Sequence, residues 1–170
     1  DYPNLEVVIG DDASTDSTYS LVSAYSDDRL KYIKNDGNLG RVANYRNILE
    51  NHATGDYVVN LDGDDYYTDP TFISQAVKLI DQNSLVLIVL AKAHWFTNGK
   101  KILSNIPPVT ELTGIEIFEN LPNKLYFFKH MASLYNRKEA VKLNFYRTDS
   151  HNSDWESLYR LSLRGKVKYL

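Results

Sequence analysis

The sequence contains no cysteine. That excludes a disulfide scaffold, a zinc–thiolate centre, an iron–sulfur cluster and thiol catalysis, and it fits a reducing compartment. No apolar run approaches the roughly 20 residues that span a bilayer, and the chain opens on no charged-then-apolar leader. A soluble domain is therefore expected. An excess of basic charge is also missing: 19 Lys and Arg stand against 22 Asp and Glu, for a net charge of −3. A nucleic-acid or anionic-membrane binder would need the opposite balance. No G-x-G-x-x-G or Walker A pattern occurs, which argues against dinucleotide and P-loop sites. Internal repeats, low-complexity tracts and Gly/Ser linkers are absent. What remains is 170 residues, 43% hydrophobic and 24% charged, which is one globular domain with enough chain to bury a core.

Short apolar runs alternate with helical patterns through the first half. Leu5–Ile9, Leu30–Ile33 and Asp56–Leu61 read as strands. Ser14, Thr15 and Asp16 are candidate caps for a helix that places Leu21, Val22 and Tyr25 on one face. Arg41 to His52 reads as a second helix, with Val42, Tyr45 and Leu49 on its apolar face, and Asp69-Pro70 as the N-cap and first residue of a third, ending near Asp81. This alternation predicts an α/β domain with a mostly parallel central sheet flanked by helices. The second half is more mixed. Leu85–Phe96 reads as a long strand, Asn98-Gly99 as a tight turn into Lys101–Ile106, Gly114–Leu121 as a short helix, and Met131–Tyr135 as a strand. Ser153–Leu163 reads as a helix with Gly165 at C′, followed by a strand at Val167–Leu170.

Two acidic clusters carry the chemistry. Asp11-Asp12 follows the first strand, and Asp62-Gly63-Asp64-Asp65 follows the strand at Asp56–Leu61. Ligands of open parallel sheets sit outside the carboxyl ends of the strands, where both clusters fall. Five carboxylates at one rim repel one another unless a cation or hydrogen-bond donors offset them. Such hard oxygen ligands suit Mg²⁺ or Mn²⁺, and Gly63 would let Asp62 and Asp64 converge on one ion. An EF-hand starting at Asp62 fails, because Tyr66 and Ile73 would occupy ligand positions. Taken singly, an acidic cluster is ordinary turn and cap chemistry. Two of them at strand ends point to a site.

The run Asp11-Asp12-Ala13-Ser14-Thr15-Asp16-Ser17-Thr18 resembles the DD-x-S-x-D-x-T signature of family-2 inverting glycosyltransferases with the GT-A fold. Asn38-Leu39-Gly40, then Arg46-Asn47, is similar to that family's N-x-G…R-N segment. Gly55-Asp56-Tyr57 through Asp65 resembles its stretch containing the metal-binding D-x-D motif. Ser153-Asp154-Trp155-Glu156, then Arg160 and Gly165, resembles the segment that holds its catalytic base. The four segments come in the family's order. The resemblance implies a single GT-A-like domain over 1–170, with a nucleotide-sugar and metal-binding half at 1–83 and an acceptor-side half at 84–170. It implies substrate contacts from Asp11, Asp12, Asn38, Arg46, Asp62 and Asp65, with Asp12 on the nucleobase. Asp62 and Asp64 would hold Mn²⁺ or Mg²⁺, and Asp154 would be the general base.

The implied reaction moves a sugar, with inversion, from a nucleotide-diphospho-sugar, UDP-linked, to a hydroxyl of a saccharide or lipid-linked acceptor in cell-surface polysaccharide synthesis. A cytoplasmic setting is expected, with any membrane association supplied by parts outside this chain or by partners. The family pattern also includes a strand and helix ahead of the position of Asp1, and it has Glu where Ser153 stands. The residues themselves leave two alternatives open. One is a metal-dependent nucleotidyl- or phosphotransferase using the same rim, and the other is a non-catalytic sugar-nucleotide-binding module. As an isolated feature, Asp154 reads as a helix cap, and only the resemblance makes it the base.

Overall fold

The computed structural model describes residues 1–98, 100–103, 110–120 and 128–170. Strand β1, Val7–Asp11, pairs in parallel with β2, Leu30–Lys34. Helix α1, Thr18–Ser23, connects them. Helix α2, Arg41–Asn47, runs on into a π-helical turn at Ile48–His52. Then come β3, Tyr57–Val58, and helix α3, Phe72–Asp81, followed by β4, Val86–Leu90. Strands β5, His94–Thr97, and β6, Lys100–Leu103, form a separate antiparallel hairpin. Next are β7, Glu111–Thr113, α4, Gly114–Asn120, and a 3₁₀ turn at His130–Ala132. The chain closes with β8, Ser133–Asn136, α5, Arg137–Lys142, α6, Ser153–Ser162, and β9, Lys166–Tyr169.

The main sheet has the order β3-β8-β4-β9-β7. Its central strand β4 reads Val-Leu-Ile-Val-Leu and is buried along its whole length, as a strand covered on both faces must be. Ile88, Leu90, Tyr135, Phe145, Leu158, Leu161 and Val167 form the core on one face; Phe72, Ala76, Val77 and Ile80 of α3 cover Val86, Val89 and Leu134 on the other.

The expected α/β class holds, but the sheet is not mostly parallel. Among the described residues β1–β2 and β4–β9 are parallel, whereas β3–β8, β8–β4 and β9–β7 are antiparallel. The reason is β8, which enters between β3 and β4 against their direction. β3 from the first half thus shares one sheet with four strands of the second. β1 starts and ends two residues later than expected, because Glu6 is drawn aside to accept from Thr54, Gly55 and Lys31, while the Asp11 carbonyl still bonds Asn35 N–H at 2.9 Å. β3 is only two residues long; Val59–Leu61 carry no strand pairing among the described residues.

Other elements move for local reasons. α1 buries no residue: Leu21 and Tyr25 are exposed, and Asp16 holds the Thr18 N–H at 2.9 Å from just outside the helix. α3 begins after Thr71, because the Asp69 carboxylate accepts from Thr71 N–H and Oγ1 in the turn before it. The Leu85–Phe96 run divides after Ala91, whose N–H still bonds the Ala132 carbonyl in the β4–β8 register; residues 91–93 form no strand before β5 begins. The expected strand at 131 begins as a 3₁₀ turn. Gly165 is not C′ of α6; a Cβ there would meet the Leu85 carbonyl oxygen at 2.5 Å, so glycine lets β9 approach β4. α5 was not anticipated, although Asn136 caps it by accepting from Glu139 N–H at 3.0 Å. Pro107-Pro108, Gly99 and Leu121 lie outside the described residues.

Between β1 and β3 lies an open groove of about 940 Å³. Even-numbered residues Glu6, Val8 and Gly10 line one wall, and Tyr57 to Asp62 the other. In the parallel pairing Val7 N–H and Asp11 C=O turn toward β2. The peptide groups of Val8 and Gly10 therefore turn toward the groove, where Asn44 Nδ2 donates to the Gly10 carbonyl at 2.9 Å.

Candidate active site

The two acidic clusters do different jobs at the rim. Asp11 ends β1 with its side chain fully buried. Its carboxylate accepts from Ser14 N–H at 2.8 Å and from the Tyr32 hydroxyl, with Lys34 Nζ at 3.9 Å. The hydrogen bonds from Ser14 and Tyr32, then the Lys34 charge, hold it down at about 2. Asp11 is thus spent inside the fold. Asp12 instead clamps the Asn35–Gly40 loop: Oδ1 accepts from Asn35 Nδ2 at 3.0 Å and Leu39 N–H at 2.7 Å, and Oδ2 from Gly40 N–H at 2.9 Å. Asn38 closes the same loop by donating to the Asp12 carbonyl and accepting from Gly40 N–H. Gly40 has φ 83°, a left-handed conformation that glycine takes without strain, and it launches α2. Asn44, Asn47 and Asn51 on α2 and its extension pass hydrogen bonds along the helix, with Asn35 bonded to both Asn44 and Asn47. Arg46, also on α2, is half-buried and has no ion-pair partner among the described residues.

The second cluster forms a turn in which Asp65 N–H bonds the Asp62 carbonyl at 3.0 Å. Tyr45 of α2 donates its hydroxyl to Asp62. Tyr67 hangs the far side of the turn on the Met131 carbonyl at 3.2 Å. Burial, then the charges of Asp64 and Asp62, push the Asp65 carboxyl up. Gly63 has no positive φ, and a Cβ there would meet open space, so the turn does not demand glycine. No three His, Asp or Glu side chains converge on one point among the described residues. Asp62, Asp64 and Asp65 carry hard carboxylate oxygens of the type divalent cations use, and Tyr45 is the one side-chain donor bonded to them among the described residues.

Asp154 occupies the first turn of α6, half-buried, and it is not the cap. The N-cap is Asn152, whose side chain makes no capping hydrogen bond. Ser153 beside it is 1% exposed. α6 is fixed by ion pairs of Glu156 to Arg147 at 2.6 Å and Arg160 at 3.0 Å, and Arg160 also donates to the Leu143 carbonyl. Between the acidic turn and α6 sits His130, buried, with its ring edge-on to Tyr45 at 5.0 Å and Nε2 at 2.8 Å from the Tyr146 hydroxyl. Burial pushes its pKa down, while the charges of Asp154 and Asp62 pull it up. His130, Tyr146, Asn60 and Tyr45 are the site residues that sequence reasoning missed as such. Tyr45 stood there only as a helix-face residue, and nothing in the spacing of the other three marks them. A cavity of about 590 Å³ opens beside the acidic turn, walled by Asp64, Asp65, Tyr66, His94, Phe96 and Met131.

The Asp12-clamped loop, the Asp62–Asp65 turn held by Tyr45 and Asp154 in the first turn of α6 set out a carboxylate-rich candidate site on an α/β fold. The pattern of glycosyl transferase family 2 matches residues 1–156, and the chain belongs to that family. It is similar to poly(ribitol-phosphate) β-N-acetylglucosaminyltransferase TarS of Staphylococcus aureus, with 31% identity over 74% of this chain and 23% of TarS. It is 33% identical to the putative glycosyltransferase EpsE of Bacillus subtilis over 62% of this chain and 40% of EpsE. It is 38% identical to the Escherichia coli UDP-Glc:α-D-GlcNAc-diphosphoundecaprenol β-1,3-glucosyltransferase WfaP over 44% of this chain and 29% of WfaP. The matched segments therefore span less than half of these relatives. The crystal structure of S. aureus TarS 1–349 superimposes with a TM-score of 0.78 at 22% identity, over 100% of this chain and 50% of that one, which shows the GT-A fold. No described helix is long and apolar enough to cross a membrane.

Proposed function

We propose that this glycosyltransferase domain moves a sugar from a UDP-sugar to an acceptor hydroxyl with inversion, assisted by Mn²⁺ or Mg²⁺, in cell-surface polysaccharide synthesis. The observation that carries the reading is the chain of contacts that links the two carboxylate sets: Tyr45 donates to Asp62 and packs on His130, and His130 bonds Tyr146, whose backbone N–H donates to Ser157 one turn along α6 from Asp154. In this reading a donor-side carboxylate and a separate, half-buried carboxylate divide the work of a single in-line displacement. WfaP is named for a UDP-glucose donor, and both WfaP and TarS are named for β-linked products, which makes UDP the first nucleotide to test.

In this reading Asp62 and Asp64, with Asp65 beside them, hold the cation, which supplies charge neutralisation for the departing diphosphate. Asp12 orders the Asn35–Gly40 loop and keeps one lone pair of Oδ2 for a nucleobase N–H. Arg46 offers its unpaired charge to the nucleotide. Asp154 takes the proton of the acceptor hydroxyl as that oxygen attacks the anomeric carbon. The 590 Å³ cavity has the volume of a small-molecule site, and in this reading Tyr66 and Phe96 in its wall contact the acceptor sugar. The test is a screen of nucleotide-sugars for thermal stabilisation with and without Mn²⁺. A donor at 100 times its dissociation constant adds about 2.7 kcal/mol. No stabilisation by any UDP-sugar in the presence of metal overturns the donor assignment. Cleavage between the two phosphates in place of the sugar–phosphate bond would favour the nucleotidyltransferase alternative.

A further inference from the structure

The acidic turn and α6 are joined at one buried hydroxyl. Tyr146 lies on the connection from α5 to α6 and is 1% exposed. Its Oη lies 2.8 Å from His130 Nε2, 3.2 Å from Asn60 Oδ1 and 3.2 Å from Tyr135 Oη. Tyr135 donates to the same Asn60 Oδ1 at 3.0 Å. One arrangement of protons satisfies these groups: both tyrosines donate to the two lone pairs of Asn60 Oδ1, and His130 donates Nε2–H to Tyr146. That arrangement needs only a neutral imidazole, and burial favours it.

Asn60 stands two residues before Asp62, so the network grips the acidic turn at its root. On its other side Tyr146 donates its backbone N–H to Ser157 Oγ at 2.9 Å, one turn along α6 from Asp154. A second observation is independent of these bonds. Tyr146 has φ 60°, the left-handed region that a bulky side chain avoids. Such a conformation persists only where its surroundings over-determine it, and it gathers at functional sites.

We propose that Tyr146 is a positioning residue for the transfer reaction, its hydroxyl and backbone N–H setting the acidic turn and the carboxylate of Asp154 in register across the site. Tyr146 acts through Asn60 and Ser157 and touches neither donor nor acceptor. The proposal rests on the roles given above to Asp62 and Asp154. Its ring packs on Tyr45, His130 and Phe145 at centroid distances of 5.5, 5.8 and 5.8 Å, contacts that Tyr146→Phe retains while losing the hydroxyl.

The experiment uses the full-length protein with Mn²⁺ and UDP-glucose or UDP-N-acetylglucosamine, reading UDP release to water. Misplacing a base by a fraction of an ångström to about 1 Å costs up to about 100-fold in rate, so Tyr146→Phe is expected to lower kcat by about 10- to 100-fold. The KM for the donor rises by a smaller factor than kcat falls, because the donor's own contacts survive while the turn that would hold the cation shifts. Ser157→Ala reproduces that split. Phe145→Leu, a neighbouring buried change with no polar atom, lowers the melting temperature and keeps kcat. An unchanged kcat in Tyr146→Phe, or a fall matched by Phe145→Leu at equal stability, overturns the proposal. If the wild type binds and releases no UDP, the donor reading falls, and amide hydrogen exchange decides on Tyr146. Loss of protection at residues 60–65 in Tyr146→Phe, which keeps the N–H bond to Ser157, and at residues 153–157 in Ser157→Ala supports it, and unchanged protection in either variant overturns it.

Discussion

The Arg41 guanidinium donates to the His151 carbonyl at 2.8 Å, tying the first turn of α2 to the loop that delivers α6. Arg41 also lies over the Tyr45 ring, 5.9 Å from its centroid, and Tyr45 holds Asp62. One exposed arginine thus touches the supports of both carboxylate sets. Arg41→Ala should cost about 1 kcal/mol or less in stability, since the bond is solvent-exposed, yet slow transfer by about ten-fold. Urea unfolding and steady-state kinetics on the same variant separate the two effects.

Binding of UDP should require a divalent cation, because Asp62 and Asp64 otherwise meet a diphosphate as like charges. Asp64→Asn should abolish most of the difference between Mn²⁺ and EDTA in calorimetry. Equal UDP affinity in EDTA and Mn²⁺ for the wild type would remove the metal from the proposal.

Asp12→Ala should do more than weaken UDP. It strands the Leu39 N–H and leaves Asn35 Nδ2 and the Gly40 N–H with only Asn44 and Asn38 as acceptors, and an unpaired donor that stays dry costs about 1–3 kcal/mol. Asp12→Asn retains an acceptor and should recover part of the stability but not the charge offered to a nucleobase N–H. The pair of variants, compared by urea midpoint and by UDP affinity, separates loop clamp from base reader.

Asp154→Asn should reduce transfer by about 10²–10⁴-fold and leave donor affinity intact. Its stability should fall by no more than about 1 kcal/mol, the usual scale for a carboxylate in a first helical turn, because Asn152 holds the cap position. Turnover within a few-fold of wild type would falsify its role as the base.

Stability should show two separate losses as pH falls. Burial raises the Glu6 carboxyl, but hydrogen bonds from Lys31, Thr54 and Gly55 outweigh it and bring it to about 2. Its folded pKa is below the unfolded value, so its contribution is full above about pH 4.5 and is lost as pH falls toward 2. His130 is likewise depressed by burial, so the unfolded chain takes up its proton first and stability declines as pH falls below about 6.5. Glu6→Gln should reduce the acid limb, which Asp11 shares, and His130→Asn should flatten the limb near neutrality, in urea midpoints measured from pH 3 to 8.

The parts of the fold that were legible in the sequence are those where local chemistry and tertiary packing agree. The Leu-Lys-Tyr-Ile strand, the Arg41–His52 helix and the Ser153 helix carry their own periodicity. Strand direction was not legible, because antiparallel pairing of β8 depends on where the chain returns and on no feature of Ser-Leu-Tyr-Asn itself. β7 is too short to show a period. The acidic clusters were legible as a pair, but the sequence could not reveal that Asp11 turns inward to Ser14 and Tyr32 while Asp12 gathers a loop. His130 and Tyr146 were silent because each is a single residue whose meaning arises only from Asn60 and Ser157, far away along the chain.

The peptide groups of Val8 and Gly10 that face the groove have a colloidal consequence. A strand with hydrogen-bonding capacity along one side is a template for any extended segment that meets it. Solutions of these 170 residues alone should therefore self-associate as concentration rises, with residues 6–10 at the contact. Substituting Val8 by lysine, which places a charge on that edge, should keep them monodisperse in light scattering.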